Sequence, residues 1–415
     1  MTQHSTRKAL VVGAGIGGLA AAATLRRAGV EVRIFERAPE LRPGTTAVSL
    51  MSNAILALRT RGIDIAPSLD KRAEVFDELK FLTRRGGLIR ALPFRELADR
   101  LGASNYAVHR SDLQQALLDA LGDDLTIELG AAATGFVSGD DGVEVTFEDG
   151  RKASGDVLIG ADGFNSAIRR QVAGADEPRP GNYECWLATV PFRHPRLTKG
   201  YAAHYWGRGQ RFGLADIGHG RAYWWGTKNV PAGASGASGA SGASGASGAS
   251  GTSGASGASG GGRSGKAEIA RHFAGWADEI QEVIRATPEE TIVRITAQDR
   301  PFLQRWGTGR MTLLGDAAHP MLVSLGQGAA LAIEDAVVLA AHIEQAKDPA
   351  SALRGYEDER RPRTEALVAA ARALSETEQL EGLVPATMRD LYFRFAPLSK
   401  FTSQNEAVLT WPPLG

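Results

Sequence analysis

The opening residues narrow the possible folds more than any other stretch. Gly13-Ala14-Gly15-Ile16-Gly17-Gly18 follows the apolar run Ala9-Leu10-Val11-Val12 and precedes an alanine-rich stretch of helical composition. A second apolar run, Val32-Arg33-Ile34-Phe35, ends at Glu36. This is the pattern of a strand–helix–strand unit that binds a dinucleotide. One glycine permits the tight turn, one lets backbone approach a pyrophosphate, and one lets the helix pack closely on the strand. The pyrophosphate rests on the positive end of the helix that begins near Gly15. Glu36, at the separation the pattern requires, accepts hydrogen bonds from ribose hydroxyls, with Arg37 beside it.

A chain of 415 residues has room for two or three domains. Lys+Arg and Asp+Glu both number 47, so the balance argues against nucleic acid or an acidic membrane surface as partner. Cys185 is the only cysteine, which rules out an internal disulfide and suits a reducing cytoplasm. The eight histidines form no HExxH and no Cys/His cluster, so no metal site is expected. Arg7-Lys8 before an apolar stretch has the look of a secretory leader, but glycines placed for a phosphate turn argue against one. No apolar run reaches the length of a membrane span. Oligomeric state is left open.

Ala234 to Gly260 is a run of Ala-Ser-Gly triplets broken once by Thr252. Glycine at every third position is the collagen period, yet no proline occurs inside the run. The reading is a flexible surface insertion spanning on the order of 30 Å, unable to bury a core. After it, Ile269, Phe273, Trp276, Ile280, Val283 and Ile284 give residues 266–285 a helical period with one buried face. Before it, residues 183–230 read as several strands crowded with aromatic side chains. That surplus serves either sheet packing or the wall of a pocket for a flat organic molecule. Residues 142–147 and 152–159 read as strands joined by a turn at Glu148-Asp149-Gly150. Residues 350–379 read as a helix packed on the N-terminal domain, and residues 385–415 as a tail over the surface.

Two later motifs bear on the ligand. A strand over 156–159 runs into Gly160-Ala161-Asp162-Gly163, followed by Ser166 and Arg169, a polar cluster at a strand's C-terminal end, where open α/β sheets bind ligands. Met311-Thr312-Leu313-Leu314 runs into Gly315-Asp316-Ala317-Ala318-His319-Pro320, then Leu325-Gly326-Gln327-Gly328 and a long apolar helix from about Ala329. Asp316 is suited to accept from a sugar-type hydroxyl. The glycines offer bare N–H groups at a helix N-terminus, suited to developing negative charge.

With these three motifs in this order, the chain resembles the single-component, FAD-dependent aromatic hydroxylases of the flavoprotein monooxygenase family, over most of its length outside the Ala-Ser-Gly run. The resemblance implies an α/β chain: a Rossmann-like FAD-binding domain, an interleaved antiparallel-sheet substrate domain and C-terminal helices. It implies FAD-binding segments 1–75, 106–178 and 296–348, substrate-domain segments 76–105 and 179–295, and a C-terminal helix and tail over 349–415. Gly13, Gly15, Gly17, Gly18, Glu36 and Arg37 then hold the ADP half of FAD. Arg110, in Val108-His109-Arg110-Ser111-Asp112-Leu113, contacts FAD; Asp316 meets the ribityl chain. Gly326, Gln327, Gly328 and Ala329 lie at the isoalloxazine edge. Asp162 and Gly163 serve FAD and NAD(P)H, and Ala133 offers a main-chain contact near the adenine. The implied chemistry is reduction of FAD by NAD(P)H, capture of O2 as a flavin C4a-hydroperoxide, and oxygen transfer to a small aromatic or conjugated substrate.

Within the family the chain looks nearest to urate hydroxylases and zeaxanthin-epoxidase-like members. In the urate enzymes an arginine and a tyrosine at positions matching Arg211 and Tyr223 face the substrate, which makes these two the catalytic candidates. The chain departs from that pattern at Cys185-Trp186-Leu187, where an asparagine is expected, and at Met321-Leu322-Val323-Ser324, where a second proline is expected. The Trp-x-Trp-x-Ile-Pro signature of flavin-dependent halogenases is absent. His319 and Cys185 read as structural. Three rivals stand beside hydroxylation: an NAD-dependent dehydrogenase using the first motif alone, a non-oxygenating flavin-binding sensor or assembly protein, and an alkene epoxidase.

Overall fold

A computed structural model describes residues 7–41, 44, 46–122, 125–231 and 265–411. The Ala-Ser-Gly run lies outside the described residues. A five-stranded parallel sheet takes the order Met311–Leu313, Val157–Gly160, Lys8–Val12, Glu31–Phe35, Ile127–Glu128. Its central strands are continuous apolar runs because both faces are covered. The helix Ile16–Arg27 is alanine-rich for a related reason: it packs along its length on the apolar helix Gly328–Gln345. The first turn depends on Gly13, whose φ of 108° lies in the left-handed region. A Cβ there would sit 2.4 Å from the Ala161 carbonyl oxygen.

A seven-stranded sheet forms the second layer, in the order Val293–Asp299, Arg179–Pro191, Arg221–Asn229, Gln210–Asp216, Ala202–Trp206, Glu78–Thr83, Leu88–Pro93. It is antiparallel except where Ala202–Trp206 runs parallel to Glu78–Thr83. Register divides its aromatics between two faces. Trp186, Tyr205, Phe212 and Trp224 are buried on one face beneath Ile269, Phe273, Ile280 and Val283. Ile269 lies in the helix Lys266–His272, Phe273 caps its C-terminus, and Ile280 and Val283 lie in Asp278–Ala286; Gly275 at φ 74° interrupts the single helical stretch that apolar spacing suggests.

Two other expectations need correction. Residues 152–159 are two strands in different sheets: Lys152–Gly155 in a three-stranded antiparallel sheet, and Val157–Gly160 in the parallel one. The expected tail over 385–415 is, in its described part up to residue 411, no plain surface tail, for it lies mostly in the helices Leu383–Phe395 and Leu398–Leu409. Pro385 falls in the first turn of one and Pro397 just before the other, positions where a missing N–H costs nothing. Phe393, Phe401 and Leu409 anchor these helices in the core on the second face of the large sheet.

The two layers are joined by the helix Pro349–Glu378, which is fixed at its middle by buried charge. Asp335, fully buried, accepts from Gly315 N (3.1 Å), His319 Nε2 (2.6 Å) and Arg360 Nε (2.7 Å). Glu334, also fully buried, accepts from Asn53 (2.7 Å), Arg360 (2.7 Å) and Arg363 (2.8 Å). Burial by itself raises the Asp335 carboxyl, but the charges of His319 and Arg360 outweigh it and hold the group below its ordinary range. Removing one partner of a buried set leaves an uncompensated charge. Arg360→Met is therefore expected to cost about 3–5 kcal/mol. Urea unfolding checks it; a loss below about 1 kcal/mol, the scale of an exposed pair, would contradict the account.

Candidate active site

At the C-terminal ends of the parallel strands lies a crevice lined by Gly13, Gly15, Glu36, Arg37, Arg110, Ala133, Asp162 and Gly163. The space a Cβ of Gly15 would enter is open, so backbone is bare toward the crevice. Gly17 and Gly18 are placed differently. They face inward, Gly17 against Leu314 and Ala332 and Gly18 against the Gly13 carbonyl, and serve the close packing of helix on turn. The Glu36 carboxylate is held by Ala14 N (2.8 Å) and Ala38 N (3.0 Å), which fixes its position at the crevice wall. Asp162 accepts from Ala167 N (2.8 Å) and from Ser166 Oγ, and Ser166 caps the helix Ala167–Ala173 at Arg169 N (2.8 Å). Burial raises the Asp162 carboxyl despite these donors. Arg169 reaches the Ala317 and Ala318 carbonyls at 3.0 and 2.9 Å, tying the second motif to the third.

Arg110 is buried at the inner end of this crevice. Burial pushes its guanidinium down to about 10, while the nearby Asp316 carboxylate and Tyr223 pull in the opposite direction. The same side chain thus neighbours the late aspartate turn, Gly315–Ala317, and the large sheet. Beyond it is a second, largely apolar cavity lined by Gly326, Gln327, Gly328 and Ala329 on one side and by the large sheet on the other. The helix Gly328–Gln345 points its N-terminus at this cavity, and Asn53 holds Gln327 at 3.0 Å. Bare glycine backbone at one end, an apolar slot beside a helix N-terminus at the other, and a buried arginine between them suit an elongated dinucleotide with a flat ring.

Register dictates which side chains the sheet presents. Cys185, Leu187, His204, Arg211, Tyr223 and Trp225 fall on the cavity face because Cys185 pairs with Thr227, Leu187 with Trp225, and Arg211 with Trp206 and Thr227. Trp225 lies over Gly213, where a Cβ would come within 2.0 Å of the indole. The Cys185-Trp186-Leu187 departure therefore puts a thiol and a leucine in the cavity and turns Trp186 away. Burial pushes the Cys185 thiol up to about 12. Met321, Leu322, Val323 and Ser324 line the opposite side. Arg211 and Tyr223 both reach the wall, but the Arg211 guanidinium is already paired with Glu378 at the end of the helix Pro349–Glu378. Burial raises the Tyr223 phenol above its ordinary value. Trp225 belongs to the aromatic surplus for which a pocket wall was one of two readings. Among the wall residues that sequence reasoning missed is His204, and it also missed Glu378, which pairs with Arg211 from behind the wall; nothing local marks either. His319 lies outside both linings, in its pair with Asp335.

No helix among the described residues is long and apolar enough to cross a membrane, and no metal-ligating group of three or more is found among them. Comparison with known proteins places this geometry. The FAD binding domain family model matches residues 6–371. The aurachin C monooxygenase/isomerase of Stigmatella aurantiaca is 34% identical over 98% of both chains. The FAD-dependent urate hydroxylase of Klebsiella pneumoniae is 33% identical over 88% of both. A chloroplastic zeaxanthin epoxidase of Oryza sativa is 33% identical over 85% of this chain, which spans 52% of that protein. The solved structure of Klebsiella pneumoniae HpxO complexed with FAD and uric acid superposes with a TM-score of 0.85 at 29% identity, covering 100% of this chain and 99% of that one. The chain belongs to the FAD-dependent group A flavoprotein monooxygenases.

Proposed function

We propose that this protein uses FAD, NAD(P)H and O2 to insert one oxygen atom into a small aromatic or conjugated substrate held against Tyr223 and Trp225. One observation carries the reading: Arg110 lines the glycine crevice and is within electrostatic reach of both Asp316 and Tyr223. A single ligand running past that side chain connects the opening turn to the apolar cavity. In this reading the parallel sheet and its flanking helices are a Rossmann-like FAD-binding domain built from segments 1–75, 106–178 and 296–348. Segments 76–105 and 179–295 form the substrate domain, and a reducing cytoplasm is the compartment.

Glu36, Arg37 and the Gly13–Gly15 turn hold the ADP half, with Ala133 near the adenine, while Gly17 and Gly18 keep the helix close behind that turn. Arg110 and Asp316 fix the middle of the cofactor. Gly326 to Ala329 offer backbone N–H groups and a positive helix end to the ring edge, where reduced flavin carries negative charge. When bound, FAD supplies the two-electron and oxygen chemistry. The cavity's aliphatic and aromatic wall excludes water from the reacting face. Tyr223 and Arg211 orient the substrate from the sheet. The apolar Cys185 and Leu187 positions favour a substrate less polar than the urate of the Klebsiella relatives. Zeaxanthin epoxidase among the relatives keeps epoxidation beside hydroxylation, because both need the same slot and cofactor.

Purified protein is expected to be yellow, to release FAD on denaturation, and to oxidise NAD(P)H faster when a substrate from an aromatic panel is added, with a product heavier by one oxygen. Stably bound flavin with no oxygen-dependent turnover across the panel would favour the sensor role. Asp316→Ala is expected to weaken FAD retention roughly 10- to 100-fold, the worth of a hydrogen bond to a charged group. Equilibrium dialysis reads it, and wild-type affinity in that variant removes Asp316 from the site.

A further inference from the structure

Two residues of the cavity wall, His204 and Arg211, come from neighbouring strands and share one buried carboxylate, Glu378, supplied by a helix behind them. Glu378 ends the helix Pro349–Glu378, and its carboxylate is 1% exposed, as is the Arg211 side chain. One Glu378 oxygen pairs with Arg211 Nη1; the other lies 3.3 Å from His204 Nδ1. Both His204 and Arg211 line the cavity. Burial pulls Arg211 down, but the Glu378 carboxylate outweighs it and keeps the guanidinium charged. Burial likewise raises Glu378, and Arg211 outweighs that and keeps the carboxylate ionised. For His204 burial prevails over Glu378, and the imidazole is held below its ordinary value and neutral at pH 7. The set therefore carries no net charge.

Its remaining hydrogen-bonding capacity is specific. A neutral His204 that donates through Nδ1 to Glu378 leaves Nε2 as an acceptor. Arg211 Nε is a buried donor with no hydrogen-bond partner. This side of the wall accordingly offers one acceptor, with a spare donor buried just behind it, in a largely apolar lining that includes Cys185, Leu187 and Trp225, with Ser324 and Gln327 opposite. An anion entering here loses its hydration and meets an arginine whose charge is already spent, with the Glu378 carboxylate behind it. A hydroxyl or lactam group satisfies both functions without charge.

We infer that Glu378 is a specificity-determining residue: by consuming the charge of Arg211 it makes this cavity select a net-neutral planar ligand bearing a hydroxyl or lactam group and reject its anionic counterpart. The inference rests on the proposed function only in taking this cavity as the substrate site. In this chain a carboxylate from the C-terminal helix occupies the Arg211 guanidinium.

The test uses the purified flavoprotein and two probes on the same ring, 2-naphthol and 6-hydroxy-2-naphthoate, with binding followed by calorimetry at pH 7. Wild type is expected to bind 2-naphthol at least about tenfold more tightly than the carboxylate, and Glu378→Gln to erase or reverse that ratio by freeing Arg211, a roughly 10- to 100-fold change. His204→Leu is expected to weaken 2-naphthol while leaving naphthalene unchanged. Wild type preferring the carboxylate, wild type binding neither probe, or an unchanged ratio in Glu378→Gln overturns the inference. Should Glu378→Gln fail to fold, the double replacement Arg211→Leu, Glu378→Leu decides. It is expected to keep the preference for 2-naphthol over the carboxylate, since it leaves no unpaired cation beside the cavity; loss or reversal of that preference overturns the inference. Because binding needs no turnover, a protein that discriminates the probes but oxygenates nothing defeats the proposed function and leaves this inference standing.

Discussion

Everything that positions the two cavities depends on the buried carboxylates Glu334 and Asp335 of the helix Gly328–Gln345. Asp335 holds the Gly315 amide and His319, and so sets the turn that carries Asp316. Glu334 holds Asn53, which in turn holds Gln327 at the mouth of the apolar cavity. Both carboxylates share Arg360, and through it orient the helix Pro349–Glu378 that delivers Glu378 to the sheet. Two charges of one sign side by side in a core are tolerable only because arginine forks and a histidine satisfy them from several directions. The cost in desolvation is repaid in geometry: four distant segments acquire one relative placement.

The large sheet solves a different problem. Its strands carry more aromatic surface than one core needs, and strict alternation divides that surface between a packed face and a cavity face. Trp186, Trp224 and Phe212 stabilise the layer against its covering helices, while Tyr223 and Trp225 remain for a ligand. The two uses of the aromatic surplus are therefore not rivals. They belong to odd and even positions of the same strands.

How much of this was legible in the sequence follows from how far apart the partners are. The glycine turn and Glu36 are a local motif, and the residues grouped with them from the sequence largely line one crevice. Gly17 and Gly18 share the motif but face the packing side, a distinction that needs the positions of Leu314 and Ala332. The C-terminal helices were misread because prolines in a first turn look like breakers when the helix boundary is unknown. The His204–Glu378–Arg211 set was invisible for a stronger reason. Glu378 is well over a hundred residues from both His204 and Arg211, and only strand register with a helix of fixed length brings the three together.

That fixed length has a consequence for how this chain can change. From Arg360 to Glu378 the helix acts as a ruler, and each residue added or removed rotates its far end by about 100°. Insertions between those two anchors swing the terminal carboxylate off its arginine, whereas substitutions along the solvent side leave it in place. The cavity's electrostatic character is therefore protected against gradual drift and open to abrupt conversion by a single indel remote from the ligand.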